Sequence, residues 1–258
     1  MHTKTEKLQA LGRLLDIMDD LRQGCPWDRK QTFDSLRHLT IEEVYELSDA
    51  ILDKDLDRIK EEAGDILLHI VFYGKLGEET GRFDIADIAR HISDKLVRRH
   101  PHIYGDVKVT DADEVKRNWE KLKMNEGKKS VLEGVPRSLP ALVKAMRMQE
   151  KAAGVGFDWP DKQPVEQKLH EEWDELQKAV RSGDRRQMEE ELGDVFFSLV
   201  NYARHLGINP ETALERANKK FKSRFESIEQ RAAAQGRSLS EMSLEEMDAL
   251  WDEAKHRK

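Results

Sequence analysis

The sequence predicts an all-α protein built from two copies of one helical unit. Nearly every segment between turn signals has apolar residues at helical spacing, and no strand-like alternation persists beyond a few residues. An acidic pattern, Glu-Glu-x-x-Glu followed by Glu-x-x-Asp, occurs twice, and each member of the second copy lies 129 positions after its counterpart (171 minus 42, 194 minus 65). Such a constant register indicates duplication, because independent drift would insert residues into the turns. The two sets are Glu42, Glu43, Glu46, Glu62 and Asp65, and Glu171, Glu172, Glu175, Glu191 and Asp194.

Length and turn composition agree with two units. The chain has 258 residues, enough for two domains of ordinary size. We expect a first helical unit over residues 1–124, a linker over 125–139 and a second helical unit over 140–258, because glycines and prolines interrupt the sequence after residue 125. Long helices that are apolar on every side need more cover than one small unit supplies, which predicts a homodimer.

Charge and cysteine content exclude several classes of function. The net charge is −7, so a general affinity for nucleic acid is not expected. No apolar run approaches the ~18 residues of a membrane span. Cys25 is the single cysteine, so an intramolecular disulfide is impossible, and the N-terminus has no apolar secretion signal. We expect a soluble cytoplasmic protein without membrane or nucleic-acid partners.

In the first unit, the sequence predicts three successive long helices. The first, near residues 6–22, ends at the breaker Gly24-Cys25-Pro26, where the cysteine is structural. The second carries the first acidic triplet beside an apolar stripe. After a polar turn, the third begins near Leu56 and becomes apolar on every side from Ile66 to Phe72. That third helix should therefore be centrally buried.

The second unit repeats this order. A short helix over 140–153 opens it, and the turn at 154–158 stands where the first unit has residues 24–28. The acid-bearing helix begins at Pro164, a residue that the first turn of a helix tolerates because its missing N–H had no partner there. The next helix is apolar on all sides over 194–200.

The spacing of the acids predicts a metal site. Glu172 and Glu175 are three residues apart and share a helix face, as do Glu191 and Asp194 on the next helix. Antiparallel packing would turn these pairs toward each other, and two like charges 4 Å apart repel by about 4 kcal/mol at an effective dielectric of 20. A cation should lie among them, and carboxylate ligands suit Mg²⁺ or Mn²⁺.

Two simpler explanations of the acidic residues do not explain why the same pattern occurs in both units. A Glu-Glu-x-x-Glu stretch is commonly a solvated helix face. Thr40 could form a capping box with Glu43, but the second copy has Leu169 at that position, so capping does not explain both copies. Both copies also have a mid-helix glycine, Gly64 and Gly193, at a cost of roughly 1 kcal/mol relative to alanine. This suggests close helix approach beside the site.

These residues resemble a known family. The duplicated acidic pattern, with Cys25-Pro26-Trp27-Asp28 ahead of the first copy, is similar to MazG, nucleoside triphosphate pyrophosphohydrolases of the all-α NTP pyrophosphatase superfamily. The resemblance spans essentially the whole chain. It implies a tandem of MazG-type helical bundles, an intertwined homodimer, and Mg²⁺-dependent hydrolysis of NTPs or dNTPs to the monophosphate and pyrophosphate.

The resemblance also implies roles for single residues. Glu172 and Glu175 would be catalytic metal ligands, together with Glu191 and Asp194, and Lys220 and Arg224 would be catalytic phosphate contacts. Nucleotide would contact Lys168, Glu171, Glu190, Lys220, Arg224 and Trp251. The matching metal ligands of the first unit are Glu43, Glu46, Glu62 and Asp65.

Basic pairs follow the acids in both units. Lys220 and Arg224 are one helical turn apart and could bracket phosphate oxygens, and the first unit has Lys95 and Arg99 in the same relation. A basic solvated face is the plain alternative. Each pair is followed by a tryptophan, Trp119 in the first unit and Trp251 in the second.

The negative charges of the substrate and of the four carboxylates determine the expected mechanism. A triphosphate cannot enter a four-carboxylate site unless Mg²⁺ neutralises the ligands and lowers the pKa of a water. That water would attack the α-phosphorus, while Lys220 and Arg224 stabilise the leaving pyrophosphate.

Two other classes of protein are compatible with acidic residues on paired helices. A di-iron bundle needs paired Glu-x-x-His motifs, and Glu253 with His256 has no partner copy. A nucleotide-binding sensor with one catalytically silent unit stays open, because both acid sets are intact. We favour the second unit as the main catalytic one, since the position matching Lys168 is Leu39.

Overall fold

The computed structural model describes residues 1–111, 114, 115, 118 and 130–255. It divides the chain into two compact units, Met1–Lys108 and Val109–Lys258. The described part of the chain is helical and contains no strand, which confirms the all-α prediction. The expected boundary after residue 124 lies outside the described residues and stays a prediction, and Trp119 and His256 lie outside them as well.

The first unit is a series of helices around a small apolar core. Its elements are α1 Lys4–Gly24, α2 Phe33–Asp53, α3 Leu56–Glu79, α4 Ile85–Arg99 and the single turn α5 Pro101–Tyr104. The breaker at Cys25 and Pro26 ends α1, as predicted, and a 3₁₀ turn at Asp28–Lys30 leads to α2. The core joins α1, α2 and α3 through Met18, Leu36, Val71, Phe72 and Leu76.

The closest packing between helices of the second unit is in a helical hairpin. Its elements are α6 Ala141–Ala153, α7 Lys162–Ser182, α8 Arg185–His205, α9 Pro210–Ala234 and α10 Leu244–Lys255. Helices α7 and α8 form the hairpin, and α6 and α9 pack on α8. No described helix is long and apolar enough to cross a membrane.

The turn of the hairpin is conserved in geometry between the two units. Lys54, between α2 and α3, has φ 58°, and Gly183, between α7 and α8, has φ 75°. The next residue caps the following helix in both units: the Asp55 and Asp184 side chains each accept hydrogen bonds from the two backbone N–H groups two and three residues on. One left-handed residue followed by an aspartate cap therefore sets the register in which the acids of adjacent helices meet.

The prediction that α3 is centrally buried is wrong for the single chain, whereas α8 agrees with the expectation that one unit does not cover such a helix. Ile70 of α3 is 39% exposed and Phe196 of α8 is 52% exposed, although neighbouring residues such as Phe72 and Val200 are fully buried. Each helix packs its partner helices on one side only, so an apolar face remains without cover from its own unit.

The predicted close helix approach at Gly64 and Gly193 is also wrong within the chain. A Cβ built at either glycine would meet no atom within 4 Å. Both glycines lie on the open side of their helices, so neither is required by a contact among the described residues.

Candidate active site

Three carboxylates converge in each hairpin. One oxygen from each of Glu172, Glu175 and Glu191 lies within 4.8 Å of the other two. The first unit assembles Glu43, Glu46 and Glu62 in the same way. Thr40 lies inside α2 and donates to the Leu36 carbonyl at 2.9 Å, so it caps no helix at the acids. The capping alternative is thereby excluded.

The fourth acid of each set lies beside the triplet. Asp194 lines the same cavity as Glu172 and contributes to the raised pKa of Glu191. In the first unit, Asp65 has the same effect on the pKa of Glu43. Four acids from two helices therefore act on one small region in each unit.

Burial and mutual repulsion raise the pKa values of the clustered acids. Burial is the larger cause for Glu191, followed by the negative charges of Glu175, Asp194 and Glu172. Burial also leads for Glu43, followed by Asp65 and Glu46. Burial and Glu46 raise the pKa of Glu62. Each cluster therefore disfavours its own ionised state, and a bound cation would relieve that penalty. An all-carboxylate donor set fits a hard divalent ion.

Lys168 places a positive charge against Glu172 in the second cluster, whereas the basic residue of the first cluster is Arg58, with its Nη2 3.9 Å from Glu62 Oε1. Its Nζ lies 2.7 Å from Glu172 Oε1 and 3.1 Å from Glu171 Oε1. These contacts, through hydrogen bonds to both carboxylates, raise the pKa of Lys168. The counterpart in the first unit, Leu39, packs against the apolar core instead. The lysine is the clearest chemical difference between the two acid clusters.

A cavity of about 170 Å³ opens beside the second cluster. Glu172, Asp194 and Lys168 form its charged wall, and Trp159 and Asn201 are among its other lining residues. Sequence analysis did not single out Asn201, because a lone asparagine inside an apolar helix carries no motif. The counterpart of Asn201, 129 positions earlier, is Phe72, which is 2% exposed in the core of the first unit.

The remaining predicted nucleotide contacts lie elsewhere in the second unit. The Arg224 guanidinium carbon is 5.5 Å from the centre of the Trp251 ring, and Phe221 packs on the same ring, so α9 and α10 form one cationic aromatic cluster. Lys220 lies one turn from Arg224 on α9. These residues are not part of the lining of the cavity beside Glu172. Glu190 pairs with Arg186 at 3.0 Å on the exposed side of α8.

Comparison with known protein families agrees with this geometry. The MazG nucleotide pyrophosphohydrolase domain matches residues 31–104 and 162–228, which contain both acid-bearing hairpins. The chain belongs to the MazG family. Membership confirms the resemblance, the tandem repeat and the predicted enzyme class, a hydrolase acting on phosphoric anhydrides.

Two relatives match this chain over nearly its whole length, and a third matches a little more than half of it. The nucleoside triphosphate pyrophosphohydrolase of Escherichia coli K12 is 44% identical over 257 residues, covering 96% of this chain and 98% of the relative. The nucleoside triphosphate pyrophosphohydrolase/pyrophosphatase MazG of Thermotoga maritima is 44% identical, covering 94% of each chain. The nucleoside triphosphate pyrophosphohydrolase of Mycobacterium tuberculosis is 36% identical over 56% of this chain and 46% of its own length.

Proposed function

We propose that this chain is a Mg²⁺-dependent nucleoside triphosphate pyrophosphohydrolase that acts on NTPs or dNTPs. It cleaves between the α- and β-phosphates, releasing the monophosphate and pyrophosphate. The observation that carries the proposal is the meeting of Glu172, Glu175 and Glu191 within 4.8 Å, next to Lys168 and a cavity, in a chain of this family. Mn²⁺ is the expected substitute metal, because it shares the preference for oxygen ligands.

The acids of the second hairpin would hold the ion through their carboxylate oxygens. When bound, the ion supplies charge neutralisation for the triphosphate and acidifies a water for attack. Glu172, Glu175 and Glu191 come from two rigid helices, so their oxygens are positioned before substrate arrives. Asp194 completes the set from one turn beyond Glu191.

The basic residues would bind the phosphates. Lys168 Nζ contacts both Glu171 and Glu172. When Glu172 binds a cation, its interaction with Lys168 would weaken, and the Lys168 ammonium group could then donate a hydrogen bond to a phosphate oxygen. Lys220 and Arg224, one turn apart on α9, are proposed to contact the departing pyrophosphate. Arg224 is held over the Trp251 ring, which fixes the direction of its guanidinium.

The first unit is proposed to be catalytically silent, serving in metal binding, nucleotide sensing or assembly. It retains three converging carboxylates. However, Leu39 occupies the position that corresponds to Lys168, and Phe72 occupies the position that corresponds to Asn201, which lines the cavity of the second unit. Both replacements belong to the apolar core. The first unit thus keeps the acids, with Arg58 Nη2 3.9 Å from Glu62 Oε1 as a nearby positive charge, but has apolar side chains at the positions of Lys168 and Asn201.

Product analysis with paired variants tests the assignment. We expect wild-type protein with Mg²⁺ to form only monophosphate and pyrophosphate, and water labelled with oxygen-18 to deliver the label to the monophosphate. Glu172→Gln/Glu175→Gln should abolish turnover, whereas the matched pair Glu43→Gln/Glu46→Gln should retain it. Release of single phosphate, or no turnover by folded wild-type protein, would refute the proposal and favour a nucleotide-binding sensor. Equal loss in both pairs would refute a silent first unit.

A further inference from the structure

The turn between α6 and α7 forms one wall of the acid-lined cavity. Trp159 lies in this turn, and every other lining residue of that cavity, in the part of the chain that the structure describes, belongs to α7 or α8. A larger cavity of about 460 Å³ adjoins it and shares Trp159, Phe197 and Asn201 as lining residues. The shape of both cavities therefore depends on where the turn holds Trp159.

A side chain holds the end of this turn. At its start, the Phe157 N–H donates to the Ala152 carbonyl at 3.0 Å, and Gly156 has φ 89°. Among the described residues, no backbone–backbone hydrogen bond is found for Asp158 or Trp159. Instead, Asp158 Oδ1 accepts from the Trp159 N–H at 2.9 Å. The position of Trp159 thus depends on what holds the Asp158 carboxylate.

Arg204, in the last turn of α8, holds the Asp158 carboxylate. Its Nη1 donates to Asp158 Oδ2 at 2.8 Å, and its Nη2 pairs with Oδ1. The same guanidinium donates to Asn201 Oδ1, from Nε at 3.0 Å and from Nη2 at 2.8 Å. His205 Nε2 also lies 3.1 Å from Asp158 Oδ1. The Arg204 side chain is only 15% exposed, so these charged contacts are largely shielded from water and salt.

We propose that Arg204 is a positioning residue of the second unit, which joins Asp158 to Asn201 and thereby holds the turn against the acid-lined cavity before substrate binds. This inference rests on the proposed function. The planar guanidinium serves two partners at once, a geometry that lysine does not reproduce. A turn that is ordered in advance does not have to be ordered during binding, so the cost of ordering it does not reduce the affinity for substrate.

The first unit places a guanidinium in the corresponding region from a different helix. Arg22 of α1 donates to the carbonyls of Asp28 and Gln31 in the turn before α2. Its guanidinium carbon lies 5.5 Å from the centre of the Phe72 ring, and Phe72 is the counterpart of Asn201. In both units an arginine therefore connects this turn to the same position of the second hairpin helix. The connected residue lines the acid-lined cavity in the second unit, whereas Phe72 belongs to the apolar core.

Hydrogen exchange tests the hold on the turn without any substrate. We would compare wild type, Arg204→Met and the control Arg185→Met, which removes an exposed arginine at the other end of α8. In Arg204→Met we expect backbone amides of residues 156–159 to exchange about tenfold faster or more, while those of α7 are unchanged. Unchanged exchange in the turn, or an equal gain throughout α7 and α8, would overturn the proposal. If Arg204→Met does not fold, Arg204→Lys replaces it, because lysine keeps the charge but does not bridge both partners.

Steady-state kinetics with ATP and Mg²⁺ test the consequence for the site. We expect KM to rise about tenfold in Arg204→Met and kcat to stay within about twofold of wild type, because α7 and α8 still hold the carboxylates. A fall in kcat with KM unchanged is the result expected of a protein that is merely less folded, and it would overturn the proposal.

A double variant tests whether Arg204 acts through Asp158. Asp158→Asn should raise KM as Arg204→Met does, and the double variant should stay within about twofold of Arg204→Met, since both changes break one connection. Multiplied effects on KM would overturn the proposed connection. If wild-type protein turns over no triphosphate, the proposed function fails by itself, and hydrogen exchange alone decides whether Arg204 holds the turn.

Discussion

Lys168 and Glu172 show how one ion pair can serve both the resting and the working state of a site. Glu172 is buried, and the lysine 2.7 Å away compensates part of its charge. A cation and the lysine compete for the same carboxylate, whereas a triphosphate benefits from both. The two ligands should therefore respond in opposite directions to loss of the lysine.

Replacing Lys168 by Met separates these effects. We expect the Mg²⁺ concentration for half-maximal activity to fall a few-fold, because Glu172 loses its internal competitor, and KM for nucleotide to rise about tenfold, because one charged hydrogen bond is lost. Lys178→Met, which removes an exposed charge from the same helix, is the control. Steady-state kinetics over a Mg²⁺ series measures both quantities, and a parallel loss of both affinities would contradict this account.

Glu191 offers a stability test of the acid cluster. Burial and four neighbouring carboxylates raise its pKa above the ordinary 4.5, so the folded state favours the protonated form. Its contribution to the stability of metal-free protein is therefore present at low pH and is lost as pH rises through the raised pKa.

Glu191→Gln should accordingly raise the melting temperature in chelator at neutral pH, by about 2–4 °C for each kcal/mol of repulsion removed. The gain should vanish toward pH 4, and the stabilisation produced by added Mg²⁺ should shrink. Glu189→Gln, at an exposed position on the same helix, is the matched control. Scanning calorimetry with and without Mg²⁺ measures these melting temperatures. A variant that melts at a lower temperature than wild type under every condition would contradict the prediction.

At the scale of elements, the hairpin turn determines where the acids meet. The two turns share a left-handed residue followed by an aspartate cap, yet one uses lysine and the other glycine at φ values of 58° and 75°. A non-glycine residue in this conformation costs roughly 1–2 kcal/mol.

Exchanging these residues should have opposite effects on stability. Gly183→Lys should destabilise the protein by about 1 kcal/mol, while Lys54→Gly should stabilise it by up to about 1 kcal/mol. Lys60→Gly, inside α3, should be destabilising, because it places glycine in a right-handed helix interior. Denaturant titrations compare the three, and a Lys54→Gly variant that loses stability would show that the turn is held by side-chain contacts instead.

The hairpins were predictable because their information is local. The spacing of Glu172, Glu175 and Glu191 on two helices joined by a short turn is enough to bring the carboxylates together, and it did so in both units. The larger cavity was not predictable in this way, since Gln149 and Asn201 come from different helices and neither belongs to a periodic motif. Burial of α3 was overestimated because periodicity reveals an apolar face but not what covers it.

At the scale of the whole molecule, the apolar face of α8 requires explanation. Leu192, Phe196 and Leu199 follow one side of the helix and are all exposed, and Gly193 beside them has open space above its Cα. An apolar stripe of this kind is characteristic of an interface. We propose a homodimer in which a second copy covers it, which would also supply the close approach that the glycine permits.

Phe196→Glu should disrupt such a dimer, because it places a charge within the stripe. We expect light scattering after size exclusion to give the mass of two chains for wild type and a concentration-dependent decrease for the variant. Leu244→Glu, at another exposed apolar position, should leave the mass unchanged. A wild-type protein that elutes with the mass of one chain would disprove the homodimer.

Phe72 and Leu39 fill, in the first unit, the positions where the second unit has Asn201 and Lys168. In a single-copy enzyme, filling a cavity gains stability at the expense of activity, so the two properties constrain the same residues. After a duplication, stability and activity can be selected at different positions of the same chain. Random mutagenesis should therefore find two kinds of sensitive position 129 residues apart: those whose loss lowers the amount of folded protein, and those whose loss lowers turnover per molecule.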